Sequence, residues 1–294
     1  MSYNRRWRSY MKTWLAALAF AVLTTGACAQ TPPLTDVDAR AQTRKITAVR
    51  IILVGDSTTA VQSGWGGAFC ADHVTSFAAC LNLARGGRSS YSYRAEGSWD
   101  IALAEMRSGS YAKTWVLIQF GHNDQPGKAG RSTNLQTEFP AFLRQYVSDV
   151  RSAGAIPVLV TPLTRRGFKD GQLQDDLAPW AAATRQIAAD MQVPLIDLYA
   201  RSRQVVQALG PVQAMTLAQA SPPPERVAAA ETGTTISAPV STPAKAPTPF
   251  DQMAFAKPSF DDTHLGKTGA AAISGLVSEE LSKAVPELRP YIIP

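Results

Sequence analysis

The stretch Ile51-Ile52-Leu53-Val54-Gly55-Asp56-Ser57-Thr58-Thr59-Ala60 decides how the rest of this 294-residue chain is read. Four consecutive apolar residues describe a strand buried on both faces, as strands of a helix-covered parallel sheet are. The polar turn that follows holds Ser57 at the carboxyl edge of the sheet, where open α/β folds bind their ligands. There the hydroxyl meets a cleft, and the serine's own N–H can face a developing negative charge. Standing alone, such a serine is the usual cap of a following helix.

Outward from this strand, Leu81 to Leu83, Trp115 to Phe120, Ile156 to Thr161 and Leu195 to Asp197 are further apolar strand candidates. Phe139, Phe142, Leu143, Tyr146, Val147 and Val150 recur at helical spacing, as do Trp180, Thr184, Ile187 and Met191. A last helix carries Ile273, Leu276, Val277 and Leu281 after Gly266. The βαβα alternation predicts one parallel five-stranded sheet with helices on both faces. From Ser221 to Pro258, eight prolines among many Ala, Ser and Thr predict extended, solvated chain inserted at the surface. Such an insertion is a loop without a role, a mobile lid or a wall-attachment element.

A serine nucleophile needs a base, and the base needs a carboxylate to fix its tautomer. Asp261 and His264, three apart in Phe260-Asp261-Asp262-Thr263-His264-Leu265, meet that need locally. His73 lies between Cys70 and Cys80 and reads as surface. Metal ligation by Asp261, Asp262 and His264 is the competing reading, but no second His or Cys cluster stands at ligand spacing, so no metal is expected. Gly86-Gly87-Arg88-Ser89-Ser90 and Gly121-His122-Asn123-Asp124 follow the second and third strands, at the same edge as Ser57. Glycine presents a backbone N–H without hindrance and an asparagine amide is a neutral donor, the materials of an oxyanion site. Each is singly an ordinary turn. Thr59 stands where a Gly-x-Ser-x-Gly elbow has its second glycine, which excludes that motif.

Gly55-Asp56-Ser57, Gly87, Gly121-x-Asn123-Asp124 and Asp261-x-x-His264, in this order, resemble the four blocks of the SGNH (GDSL) hydrolases. The longer strings Gly55 to Ala60, Gly87 to Ser90, Phe120 to Asp124, Thr161 to Arg166 and Asp261 to His264 are similar to the rhamnogalacturonan acetylesterase branch, carbohydrate esterase family 12. The resemblance implies a flavodoxin-like three-layer α/β/α sandwich with a central five-stranded parallel sheet. It implies Ser57 as nucleophile, Asp261 and His264 as its partners, Ser57, Gly87 and Asn123 as oxyanion donors, and no cofactor. The expected substrate is an acetylated plant cell-wall polysaccharide, rhamnogalacturonan of pectin first. Acetylxylan esterase, general short-acyl esterase or lipase is the alternative within enzymes, and a carbohydrate-binding protein on the same fold the alternative outside them. Arg88, Arg165 and Arg166 either hold galacturonate carboxylates with their guanidinium forks or serve packing and ion pairing.

Arg5, Arg6, Arg8 and Lys12 precede an apolar run from Trp14 to Leu23 and then Thr24-Thr25-Gly26-Ala27-Cys28-Ala29, the pattern of an export signal cleaved after Ala29. The run is too short for a membrane anchor. Cys28 as a lipid attachment site and Arg5-Arg6 as a twin-arginine signal are variants of that reading. The organisation expected is a signal at 1–29, a lead at 30–45 and a hydrolase domain at 46–294 carrying the insertion at about 221–258. The protein is expected to be periplasmic or secreted and monomeric. Of the 29 basic residues four lie in the signal and of the 23 acidic ones none does, so the overall +6 becomes +2 in the mature chain. That leaves no general case for a nucleic-acid partner, and membrane contact only through a lipid on Cys28. With 18% charged and 45% hydrophobic residues the chain is not a disordered one. The mature chain retains Cys70 and Cys80, either a disulfide suited to an oxidising compartment or two buried thiols.

Overall fold

The computed structural model describes Thr35, Arg40 and residues 47–236 and 259–294. Residues 1–29, read above as an export signal, nearly all of the lead and residues 237–258 of the insertion lie outside the described residues. The chain divides into units 1–46 and 47–294, and the architecture below is that of the second.

Strand β1 (Val49–Gly55) is buried along its whole length. It pairs in parallel with β2 (Ala78–Asn82) on one side and β3 (Thr114–Gln119) on the other, Ile52 standing opposite both Leu81 and Val116. β4 (Ile156–Val160) extends the sheet beyond β3. A small antiparallel hairpin of β5 (Phe168–Lys169) and β6 (Gln172–Leu173) comes next in the chain, before β7 (Leu195–Ile196) completes the order β2-β1-β3-β4-β7. The expected five-stranded parallel sheet is therefore present.

Because side chains alternate across a strand, β1 feeds two cores. Ile52 and Val54, with Val116, Ile118 and Leu159, pack on one face; Ile51 and Leu53, with Trp115, Leu117 and Val158, pack on the other. The first face is covered by α3 (Ser98–Arg107), α4 (Glu138–Ser152) and α5 (Ala178–Met191), which follow α1 (Gly66–Asp72) and α2 (Ser92–Ala95) in the chain. Phe139, Leu143, Tyr146, Val147 and Val150 form the buried stripe of α4. Each such side chain contributes about 1.5–3 kcal/mol by leaving water. The second face is covered by α1 and by the last helix, whose Ile273, Val277 and Leu281 are buried. Between β7 and that helix come α6 (Leu198–Gln213) and α7 (Pro224–Glu231); the last helix, α8, spans Lys267–Ala284. The result is a helix, sheet and helix sandwich.

Three expectations are corrected. The insertion is not extended from its start: α7 occupies Pro224–Glu231 and buries Arg226 and Ala230. Proline is tolerated in a first helical turn, where an N–H has no partner to lose, and the run Val227-Ala228-Ala229-Ala230 favours helix. Asp197 does not end a strand; its carboxylate accepts the Ala200 N–H at 3.3 Å and caps α6. The second strand begins at Ala78, ahead of Leu81, since small alanines carry little apolar signal although they pair with Val49 and Arg50. Cys70 of α1 and Cys80 of β2 are joined in a disulfide, so the free-thiol alternative falls. Closing this short loop contributes about 2.5–3 kcal/mol on the chain-entropy model.

Candidate active site

The turn after β1 is built before any chemistry is added to it. Asp56 is fully buried, and its Oδ1 accepts the Thr58 N–H at 2.8 Å and the Thr58 hydroxyl at 2.7 Å, a local Asx arrangement. Gln119, from the end of β3, braces the same turn: its Oε1 accepts from Thr59 Oγ1 at 2.9 Å and Trp65 Nε1 at 2.7 Å. Gly55 is required by close approach, because a Cβ there would lie 2.7 Å from the Gln119 carbonyl oxygen. The turn thus presents Ser57 at the carboxyl edge.

The second partner arrives from the far end of the chain. His264 Nε2 stands 2.8 Å from Ser57 Oγ, and His264 Nδ1 stands 2.7 Å from Asp261 Oδ2. Ser63 stitches the two segments together, its hydroxyl donating to the Ser57 carbonyl at 2.7 Å and its own carbonyl accepting the Leu265 N–H at 2.9 Å. Burial alone would raise the Asp261 carboxyl. The hydrogen bonds and charge of His264, with the N–H groups of His264 and Thr263, outweigh it and hold Asp261 well below the usual carboxylate range. It is therefore ionised wherever a histidine base would work.

The remaining loops converge on the same edge. Gly86 lies against the nucleophile, since a Cβ on it would be 3.6 Å from Ser57 Cβ. Gly87 has φ +78°, a left-handed conformation that favours glycine. Among the described residues neither the Ser57 N–H nor the Gly87 N–H donates to another group. Asn123 Nδ2 donates to the Arg88 carbonyl at 3.1 Å, which fixes the amide and leaves its second hydrogen available. Arg131 Nη1 completes that fix by donating to Asn123 Oδ1 at 3.3 Å and to the Gly87 carbonyl at 3.1 Å. Asp124 locks the two loops to each other: its Oδ1 accepts from Ser90 Oγ at 2.5 Å and from Thr133 Oγ1 at 3.1 Å. Burial pushes this carboxyl up to about 7, although the bonds from Ser90 and Thr133 pull the other way.

His122 is buried beneath the turn, its Nδ1 3.5 Å from Asp56 Oδ2, and burial pushes its pKa down against the attraction of Asp56. His73 sits elsewhere, Nδ1 against the Ile293 carbonyl at 2.7 Å. Among the described residues no group of three or more His, Cys, Asp or Glu side chains could hold a metal ion.

The three arginines read as either carboxylate ligands or packing and ion-pairing groups all have partners within the chain. Arg166 is 3% exposed, and its Nη2 donates to the carbonyls of Asp261 and His264, both at 2.8 Å, while its Nη1 reaches the Thr263 carbonyl at 3.3 Å. Burial pushes its pKa down to about 10 against the pull of Asp261 and Asp262. Of its two readings Arg166 takes packing, and it frames the Asp261 to His264 turn. Arg165 pairs with Asp176 and donates to Thr263 Oγ1, while lining a cleft of about 450 Å³ beside Asp261 and Lys128. Arg88 pairs with Glu96 at 2.9 Å. Neither of these two offers an unpaired charge.

Comparison with known proteins places the chain in a family. Residues 53–218, more than half the chain, match the model of the GDSL-like lipase/acylhydrolase family. The chain is 35% identical over 162 residues to the probable rhamnogalacturonan acetylesterase YesY of Bacillus subtilis (strain 168), covering 53% of this chain and 72% of that protein. It is 33% identical over 177 residues to the rhamnogalacturonan acetylesterase RhgT of the same organism, covering 58% and 73%. The crystal structure of YxiM from Bacillus subtilis superposes with a TM-score of 0.58 at 22% identity, over 81% of this chain and 57% of that one, a likeness of fold. This chain belongs to the GDSL-like lipase/acylhydrolase family and is a carboxylic ester hydrolase.

Proposed function

We propose that the protein is an exported serine esterase that removes acetyl groups from plant cell-wall polysaccharide, with rhamnogalacturonan as substrate. The observation that carries this is the continuous relay from Ser57 Oγ through His264 to Asp261, with contacts of 2.8 and 2.7 Å. The substrate class rests on the two relatives named rhamnogalacturonan acetylesterase. Export is supported by the basic and apolar pattern of residues 5–29 and by a disulfide of the kind that persists in oxidising compartments.

In the first half-reaction Ser57 Oγ forms a bond to the acetyl carbonyl carbon while His264 Nε2 takes the hydroxyl proton. The carbonyl oxygen becomes an oxyanion facing the Ser57 N–H, the Gly87 N–H and the Asn123 amide, donors already fixed before substrate arrives. Collapse breaks the bond to the sugar oxygen, which leaves with the proton from His264. Water then attacks the acetyl-enzyme, gives a proton to His264, and the breaking Ser57 ester recovers it as acetate departs. Ionised Asp261 stabilises the imidazolium in both halves.

Acetate released from acetylated rhamnogalacturonan and from acetylated xylan, measured with the wild-type protein and Ser57→Ala, tests the proposal. The expected result is preference for rhamnogalacturonan and a fall in kcat of about 10⁴-fold or more in the variant. Turnover that survives Ser57→Ala refutes the nucleophile, preference for xylan refutes the substrate, and glycan binding without acetate release returns the chain to a binding protein.

A further inference from the structure

We infer that Lys128 and Arg131 form an anion subsite that takes the carboxylate of a uronic-acid residue of the polymer chain. This rests on the esterase reading above and extends it to how the polymer is chosen.

Both side chains stand on one loop beyond β3 whose shape is fixed internally. The Arg131 and Ser132 N–H groups both donate to the Lys128 carbonyl at 2.9 Å, and the Ser132 hydroxyl accepts the Lys128 N–H at 2.8 Å. The same hydroxyl donates to the Gln125 carbonyl at 2.8 Å. The loop backbone is therefore placed before a ligand arrives, as is the Arg131 guanidinium through its bonds to Gly87 and Asn123, which lowers the ordering cost of binding.

Among the described residues neither cation has a carboxylate partner, in contrast to Arg88 and Arg165. The Lys128 ammonium makes no hydrogen bond there, and Arg131 spends only Nη1, on Gly87 and Asn123. Lys128 lines both the cleft beside Asp261 and Thr263 and a second cavity of about 440 Å³ bounded by Tyr91, Arg131 and Ser132. The subsite thus lies next to the residues that would hold the oxyanion. Tyr91, 43% exposed with its ring 5.7 Å from that of Phe142, adds a flat apolar wall on which a sugar face can rest.

Asp176, Asp261 and Asp262 line the cleft as well, and it is at the Lys128 and Arg131 side of it that an anion is favoured. Burial lowers the Lys128 pKa, and the neighbouring charges of Arg165 and Arg131 lower it further. Bringing a carboxylate to this spot relieves that repulsion, whereas a neutral sugar does not. Arg131 still has donors for a forked bond to carboxylate oxygens, with Lys128 as a point charge beside it.

Titration calorimetry of the full chain with unacetylated trigalacturonate, and with its carboxyl-reduced neutral counterpart, tests the subsite without turnover. The acidic sugar should bind about tenfold tighter or better, an advantage that shrinks at high salt. Lys128→Gln should remove most of that advantage, and Lys128→Arg should retain it. Equal affinity for the two sugars, no binding of either at millimolar concentration, or an undiminished advantage in Lys128→Gln overturns the inference. Any of these leaves Ser57-dependent acetate release intact, while loss of acetate release leaves the binding result standing.

Discussion

Asp261 grips His264 twice: its Oδ2 bonds the imidazole Nδ1 and its Oδ1 accepts the His264 backbone N–H, each at 2.7 Å. A substitution that keeps the shape and removes the charge separates these two contacts. In Asp261→Asn an amide hydrogen can face Nδ1, which favours the tautomer with its proton on Nε2, where the base must be empty. The fall in kcat expected is about 10⁴-fold, with KM little changed. Steady-state kinetics on an aryl acetate checks it, and a loss below about tenfold would show that the carboxylate only braces the turn.

Arg166 should act through geometry. Arg166→Lys keeps the charge but replaces a planar fork bonded to three carbonyls with a single ammonium. Stability should fall by about 2–3 kcal/mol, since buried carbonyls lose charged donors. kcat should fall about 10–100-fold through a displaced His264. Affinity for trigalacturonate should not change, which is the readout that distinguishes this role from substrate contact; weakened binding would restore Arg166 to the substrate site.

Asn123→Ala removes the side-chain donor whose amide is oriented by the Arg88 carbonyl and Arg131. Donors to the oxyanion act only as charge develops, so kcat should drop about 10²–10³-fold with KM nearly constant. A change confined to KM would mean that Asn123 binds the ground state instead.

How much of this was legible depends on the length scale of each signal. β1, β3 and β4 are long, apolar runs and were readable, as was the local pairing of Asp261 with His264. β2 is an edge strand of small residues, and α7 is concealed among prolines. Arg165 and Arg166 are adjacent and chemically identical in sequence, yet one lines the cleft and the other is buried; only packing against Asp261 to His264 separates them. Arg131 reaches the carbonyl of Gly87, 44 residues earlier, a contact no local pattern encodes. Nor did the sequence hint at Ser63, a small polar residue in a turn that joins the two ends of the site.

Asp124 ties the loop after β2 to the loop after β3, and its titration should be visible in stability. Its folded pKa of about 7 lies above the ordinary 3.8, because burial disfavours the charged form. Between these values the folded chain keeps a proton that the unfolded chain has released. The stability contributed is therefore complete below about pH 4, declines as pH rises through 7, and levels off above that. Asp124→Asn is permanently neutral and retains an acceptor for Ser90 and Thr133, so this part of the decline should vanish. Thermal unfolding from about pH 4.5 to 8 should show the difference between variant and wild-type Tm growing with pH by several degrees, in favour of the variant. Other titrating groups are common to both proteins and cancel in the difference. Parallel Tm curves would mean that Asp124 folds as an ordinary ionised carboxylate and that the two loops are joined by a charged contact.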